Sequence, residues 1–397
     1  MPSPDDLASL AAEMTAWRRD FHRHPELGFE ETRTAGIVAS LLRDWGIAVE
    51  EGIGTTGVVG TLTGTRAAGG NRAVALRADM DALAMPEATG ADHASTVPGK
   101  MHACGHDGHT AMLLGAARWL AANRDRFGGT VRFVFQPAEE GRGGAKAMMD
   151  DGLFDTYPCN AIYALHNWPG LPPGTVGINP GPMMAAADRF EIVITGRGGH
   201  GAHPYQTVDP VLVAGHMITA LQSIVSRNVN PLDSAVLSIG SMQAGHPGAM
   251  SVIPREARLV GTVRTFRKTV QEMVEARMRE LAASVAAAFG ATAQVEYERI
   301  YPATLNTPHE AMFVADLATE LVGRDKVVRD LPPSMGSEDF SFMLQARPGA
   351  YFRLGQGGAE AGCLLHNSSY DFNDAVIPLG SALFCSLAER SMPLADR

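Results

Sequence analysis

Met101-His102-Ala103-Cys104-Gly105-His106-Asp107-Gly108-His109 puts one thiol, three imidazoles and one carboxylate into nine consecutive residues. The whole chain of 397 residues holds only 4 Cys and 13 His, so chance clustering is a poor explanation. The two glycines are expected to let the backbone turn sharply enough for Cys104 and His106 to face a common centre. A thiolate beside an imidazole is a soft-to-borderline donor set that suits zinc and other late divalent metals. Alone, a Cys-x-His is more often a buried cysteine next to structural histidines, so the weight falls on what surrounds it.

Immediately C-terminal to this stretch, Thr110 to Ala122 reads as a helix, with Met112, Leu113, Ala116, Trp119 and Leu120 on its apolar side. N-terminal to it, Val58–Leu62 and Val74–Leu76 read as strands, separated by a glycine-rich turn at Gly69-Gly70, and the second runs into Asp79 and Asp81. Downstream, Thr130–Phe135 alternates as a strand and runs into Glu139-Glu140, and the apolar run Ala161–Leu165 ends at His166. Three strands thus deliver metal-competent residues from their carboxyl ends. In open α/β sheets that is where ligands sit, so the order of elements predicts one convergent site.

Further out, Leu7 to Leu42 reads as helix interrupted at His24-Pro25, with the second helix stopping at Gly46. From about Met183 the pattern changes. A strand at Phe190–Thr195, a helix at Pro210–Ser226, strands at Ala235–Gly240 and Ala257–Val263, a helix at Val270–Phe289 and a strand at Ala293–Ile300 give the order β-α-β-β-α-β of ferredoxin-like domains. After Tyr301 come a helix at Glu310–Val322, a Gly/Ser/Pro-rich loop at Leu331–Ser337 and a strand near Tyr351–Leu354 that precedes His366. The expected architecture is α/β: an open mixed-sheet domain made of 1–185 and 301–397, interrupted by an inserted βαββαβ domain at 186–300.

Glu139 and Glu140 leave a strand as neighbours and so point in different directions. One carboxylate can bind a metal while the other faces a water, the machinery of metal-assisted hydrolysis; a lone Glu-Glu is otherwise a solvated turn. His166 and His366, taken singly, read as core or rim histidines. Gly198-Gly199-His200-Gly201 lacks the Lys-Ser/Thr of a phosphate loop and reads as a turn presenting an imidazole, or a plain β-turn. Arg264, at a strand end, is either a surface charge or a clamp for a carboxylate. A net charge of -10, from 33 basic and 43 acidic residues, argues against nucleic acid or an anionic membrane as partner. The polar start lacks a secretory signal and no apolar run reaches spanning length, which makes the cytoplasm the default expectation.

Taken together, the motifs resemble the aminoacylase–carboxypeptidase group of co-catalytic metallopeptidases. The nearest branch is that of hippurate hydrolases, N-acyl-amino-acid amidohydrolases and plant auxin-conjugate hydrolases. The resemblance rests on His24-Pro25-Glu26-Leu27 with Glu30 and Thr32, Arg77-Ala78-Asp79-Met80-Asp81, Met101–His109, Gln136-Pro137-Ala138-Glu139-Glu140, and His166-Asn167. It continues through Gly199-His200, Val252-Ile253-Pro254, Gly261-Thr262-Val263-Arg264, Gly336-Ser337-Glu338-Asp339-Phe340 and Tyr370-Asp371-Phe372-Asn373-Asp374.

That resemblance implies a metallopeptidase-type catalytic domain with an inserted lid that also dimerises, in a homodimer or higher homo-oligomer. It implies two divalent ions (Zn, Mn, Co or Ni) held by Cys104, His106, Glu140, His166 and His366, with Cys104 as the bridging thiolate. Glu139 is then the general base, His200 polarises the scissile carbonyl from its own or the partner subunit, Arg264 clamps a substrate carboxylate, and Asp79 orients a ligand or its loop. His102, Asp107 and His109 are left either to support the ligands or to serve the local structure. The implied reaction is hydrolysis of N-acyl or N-aroyl amino acids. Dipeptidase or carboxypeptidase-like cleavage of short peptides, and a catalytically silent binding protein, are the alternatives. A cysteine hydrolase with Cys104 as nucleophile would leave the Glu pair and the distant histidines without a task. Ser251 stands where the family often has Asn, and Asn367-Ser368-Ser369 where a proline is common.

Overall fold

A computed structural model describes residues 1–66 and 72–394. The turn expected at Gly69-Gly70 lies outside the described residues. The chain forms two compact units: Met1–Met183 with Leu305–Pro332 and Asp339–Arg397, and Met184–Thr304 with Pro333–Glu338.

The first unit is built on an eight-stranded mixed sheet. Its strands lie side by side in the order Ala48–Ile53, Gly57–Thr63, Thr130–Gln136, Ala73–Asp79, Ala161–Trp168, Gly349–Gly355, Val176–Gly177, Val327–Val328. The four central strands run parallel, and the Ala48–Ile53 and Gly57–Thr63 pair joins one side antiparallel. Ala161–Trp168 is buried along almost its whole length and Gly349–Gly355 throughout, as expected of parallel strands covered on both faces. That burial explains why both sequences are continuous apolar runs rather than alternating ones. The parallel strands carry Asp79, Gln136 and His166 at or near their carboxyl ends.

The helix after the opening motif is longer than the periodicity suggests, spanning His106–Ala122, and is buried nearly all round. It starts at His106 because Gly105 adopts a left-handed conformation (φ 92°) and caps it. A Cβ at Gly105 would also collide with the Asn167 amide and the Tyr370 hydroxyl. Gly108 corrects the expectation of two turn-forming glycines. It is helical, and what requires a bare Cα is the Phe372 ring, which a Cβ would meet at 2.3 Å. Beside this helix packs Ile377–Ser391, a buried helix that the sequence reading passes over. Its close approach depends on Gly115 and Gly380, whose added Cβ atoms would meet the Ser381 hydroxyl at 2.7 Å and the Met112 sulfur at 1.8 Å.

The second unit holds a four-stranded antiparallel sheet in the order Ala235–Ala244, Glu256–Thr265, Ala186–Thr195, Thr292–Tyr301. With the helices Pro210–Ser223 and Lys268–Ala288 it forms the predicted ferredoxin-like arrangement. Its core is separate, with Phe190, Ile192, Ile194, Met217, Leu221, Val274 and Met278 fully buried. Asp188 is buried in that sheet, where it accepts from Gln271 Nε2 (2.8 Å) and the Tyr297 hydroxyl (2.6 Å). Among the described residues no helix is long and apolar enough to cross a membrane.

Candidate metal centre

The first unit brings Cys104, His106, Glu139, Glu140, His166 and His366 together. Cys104 Sγ belongs to two sets of donor atoms whose members all lie within 4.8 Å of one another, Cys104/His106/His166 and Cys104/Glu140/His366. A third set of the same compactness is His106/Glu139/Glu140. The thiol therefore stands where two triads of donors meet, the position a bridging ligand needs.

Each donor is held by a partner of its own. His166 Nδ1 lies 2.7 Å from the carbonyl oxygen of Asn167, which can only accept. The proton is thus on Nδ1, and Nε2 is left as a lone-pair donor 3.4 Å from Cys104 Sγ. Burial, then the neighbouring His109 and His106, hold His166 well below the usual imidazole range, so the ring is neutral. His106 Nδ1 faces Asp81 Oδ1 at 3.3 Å. Its Nε2 is buried without a hydrogen-bond partner among the described residues.

Burial opposes charge on His106, but Asp79, Cys104 and Asp81 outweigh it and hold the ring well above its ordinary value. The thiol, imidazole and carboxylate donors gathered around that ring within 4.8 Å of one another suit a divalent cation. The orphaned Nε2 and the thiol–imidazole–carboxylate chemistry both fit one. His366 adopts a left-handed backbone (φ 59°), donates its N–H to Ala103 O at 2.8 Å, and places Nε2 3.2 Å from Glu140 Oε1. Its hydrogen bonds with Cys104 and Glu140 push it up to about 10.

The Glu pair is fixed from behind. Asp81 accepts the backbone N–H of Glu139 at 3.0 Å through Oδ1 and that of Glu140 at 2.9 Å through Oδ2. Asp79 meets His109 Nδ1 at 2.5 Å, and His109 Nε2 accepts the Asn167 backbone N–H at 3.0 Å. Asp79 is itself paired with the buried Arg77, whose Nη1 donates to Oδ2 at 2.8 Å. The hydrogen-bonding partner of the proposed ligand His106 is therefore Asp81, while Asp79 faces the other ring nitrogen of His106 at 3.7 Å and is hydrogen-bonded to His109.

His102 and Asp107 lie on the other side of the motif. Asp107 accepts from His22 Nδ1 at 2.8 Å and lies 3.5 Å from Arg18 Nε, all three side chains being fully buried. Both ring nitrogens of His102 are buried with no partner among the described residues. This Arg18–His22–Asp107 network escaped the sequence reading. Its only advance signal is the presence of Arg and His on the Ala11–Arg23 helix at positions that helical spacing turns inward.

His200 and Arg264 belong to the second unit. His200 is exposed on a two-residue strand that pairs with Val252-Ile253. Its Nδ1 accepts the N–H of Ala202 at 3.0 Å. Ser251 is part of that turn, since its carbonyl accepts the N–H of Gly201 at 2.7 Å. Arg264 is half-buried and donates through Nη1 to the Thr262 hydroxyl and to Val263 O.

The family model described as peptidase family M20/M25/M40 matches residues 75–390. The chain belongs to that family. It is 39% identical over 383 residues to a hippurate hydrolase of Campylobacter jejuni, covering 96% of this chain and 97% of that one. It is 38% identical over 394 residues to thermostable carboxypeptidase 1 of Saccharolobus solfataricus, covering 97% and 98%. The crystal structure of the Bacillus subtilis YXEP protein, a dinuclear metal-binding peptidase from the M20 family, superposes with a TM-score of 0.84 at 35% identity, covering 96% and 98% of the chains. This M20/M25/M40 chain is accordingly a hydrolase of a family with dinuclear metal-binding members, and its donor clusters lie at the carboxyl ends of its parallel strands.

Proposed function

We propose that this chain is a metal-dependent amidohydrolase that cleaves N-acyl or N-aroyl amino acids into a carboxylic acid and an amino acid. The observation that carries the reading is the position of Cys104, shared between two donor triads with Glu139 beside them. In this reading Cys104, His106, Glu140, His166 and His366 hold two divalent ions, drawn from Zn, Mn, Co and Ni. When bound, such ions supply Lewis acidity that polarises an amide carbonyl and lowers the pKa of a water.

The remaining work falls to the chain. Glu139, buried among the donors, takes a proton from the attacking water. The water oxygen bonds to the amide carbon, the C–N bond breaks, and Glu139 returns the proton to the leaving amine, so protons balance over the cycle. Asp81 keeps the base and its neighbouring ligand in register by accepting both backbone N–H groups. His200 is assigned a hydrogen bond to the scissile carbonyl and Arg264 an ion pair with the substrate carboxylate. A homodimer formed through the second unit, whose sheet ends in the open edge strands Ala235–Ala244 and Thr292–Tyr301, completes the reading.

Similarity to the hippurate hydrolase favours acyl amino acids, and similarity to the carboxypeptidase favours short peptides as the second reading. A panel of N-benzoyl, N-acetyl and longer N-acyl amino acids, run beside dipeptides and N-blocked peptides on protein reconstituted with each of the four metals, separates them. Fastest turnover on an N-acyl amino acid supports the proposal. Fastest turnover on peptides replaces it with the second reading, and no turnover on any of them refutes the enzyme mechanism.

A further inference from the structure

The run His24-Pro25-Glu26-Leu27-Gly28-Phe29-Glu30-Glu31 contains the His24–Leu27 and Glu30 positions of the family resemblance but has no part in the mechanism above. Among the described residues four non-glycine residues have a positive φ: Phe29 (65°), Thr55 (84°), Ala138 (52°) and His366 (59°). His366 is a proposed ligand. The other three flank one buried carboxylate, that of Glu31, which is fully inaccessible.

Glu31 Oε1 accepts the backbone N–H of Ala138 at 2.8 Å, and Oε2 accepts the Thr56 hydroxyl at 2.5 Å. Phe29 lies two residues before Glu31, Thr55 one before Thr56, and Ala138 one before Glu139. The backbone also closes in here, since a Cβ on Gly28 would stand 3.0 Å from the Cα of Ala138. Glu26 fastens the other end of the segment. It accepts the N–H groups of Arg33 (2.9 Å) and Thr34 (2.8 Å) at the start of the Thr32–Asp44 helix, and its carbonyl accepts the N–H of Ala82, next to Asp81.

Three consecutive backbone N–H groups, those of Ala138, Glu139 and Glu140, therefore end on two buried carboxylates, Glu31 and Asp81. Left-handed backbone at a non-glycine residue is costly and persists only where its surroundings over-determine it. Strain gathered at one node beside a reacting group points to a constraint on that group.

We propose that Glu31 is a positioning residue for Glu139: its carboxylate holds the left-handed turn at Ala138 and so fixes where the base stands. This rests on Glu139 being the base. The Glu31 carboxylate is hydrogen-bonded to the Ala138 N–H and the Thr56 hydroxyl and belongs to none of the donor sets, so its loss should act on turnover and leave binding and metal content in place. A base displaced by about 1 Å can lose on the order of 100-fold in rate.

The test compares Glu31→Ala, Glu31→Gln, Thr56→Val and Glu139→Ala on metal-reconstituted protein. It measures kcat and KM on the substrate turned over fastest in the panel, metal by elemental analysis, and amide hydrogen exchange over residues 137–141. The inference expects Glu31→Ala to lose about 10- to 100-fold in kcat, with KM and metal content nearly unchanged and faster exchange over 137–141. Glu31→Gln, which keeps an acceptor for the Ala138 N–H, should recover most of the rate. Thr56→Val should fall between, and carries the test if Glu31→Ala does not fold.

The inference is overturned if Glu31→Ala keeps its kcat and its exchange pattern, if Glu31→Gln falls as far as Glu31→Ala, or if kcat falls only in proportion to lost metal. Glu139→Ala separates the two levels. Should it retain turnover, the assignment of the base is wrong and this inference goes with it. Should it be inactive while Glu31→Ala is normal, only the role of Glu31 falls.

Discussion

Nε2 of His166 stands 3.4 Å from Sγ of Cys104, and the Nδ1–H of the same ring is spent on the Asn167 carbonyl at 2.7 Å. The imidazole is thereby locked in the tautomer that offers Nε2 to the centre, before any ligand arrives. Replacing Cys104 by Ala removes the one donor common to both triads. Loss of a mere supporting partner in a metal site costs roughly 10- to 100-fold in affinity. Cys104→Ala should exceed that, and elemental analysis after dialysis should find little bound metal while circular dichroism keeps the native spectrum. Full metal occupancy in this variant would remove Cys104 from the ligand set.

Asp81 acts through the backbone rather than through a ligand alone. Asp81→Ala leaves two N–H groups, those of Glu139 and Glu140, without their acceptor, at about 1–3 kcal/mol for each buried orphan. The expected outcome is a lower melting temperature together with a drop in kcat larger than the drop in bound metal. Asp81→Asn, which keeps one acceptor oxygen, should lie between wild type and Asp81→Ala in both measurements.

The buried histidine behind the motif makes stability depend on pH. Burial opposes charge on His22, but its hydrogen bond with Asp107 outweighs it, with Glu87 on its other nitrogen, and raises the ring from 6.5 to about 9. A group whose folded value is raised stabilises the fold fully below its unfolded value and loses that contribution as pH climbs through the folded one. Stability should therefore decline between about pH 6.5 and pH 9. The ceiling is on the order of 3 kcal/mol. Chemical denaturation of wild type and His22→Gln across that window checks the sign. The variant should be less stable at the acid end and show a flatter profile.

The strand-end logic made much of this legible. Asp79, Gln136 and His166 lie at or near the ends of adjacent parallel strands because apolar runs of that length, alternating with helices, fold into such a sheet. Cys104 and His106 were readable from residue type and spacing. Other features were not, because they depend on distant packing. Gly108 is bare on account of Phe372, some 260 positions away, and nothing in its local sequence separates it from the turn-forming Gly105. The Arg18–Asp107 and Glu31–Ala138 contacts join segments about 90 and 107 positions apart, through side chains that a single sequence presents as ordinary polar residues. The Ile377–Ser391 helix is buried on nearly every side, so its apolar residues lack the one-sided periodicity by which surface helices are recognised.

Arg264 offers a check on substrate polarity. Its Nη1 is engaged with Thr262 and Val263, and in the proposed role the guanidinium recognises a carboxylate. Arg264→Ala should raise KM for an N-acyl amino acid by about 10-fold or more, in line with a charge-assisted hydrogen bond, and should leave the KM of the corresponding amino acid amide nearly unaffected. Equal effects on acid and amide would assign Arg264 a structural task within its strand.

The most direct test of the central claim is kcat and bound metal measured together on Glu139→Ala. The account predicts full metal content with kcat reduced by about 100- to 10,000-fold, the range a general base supplies. Near-normal kcat at full metal content would contradict it.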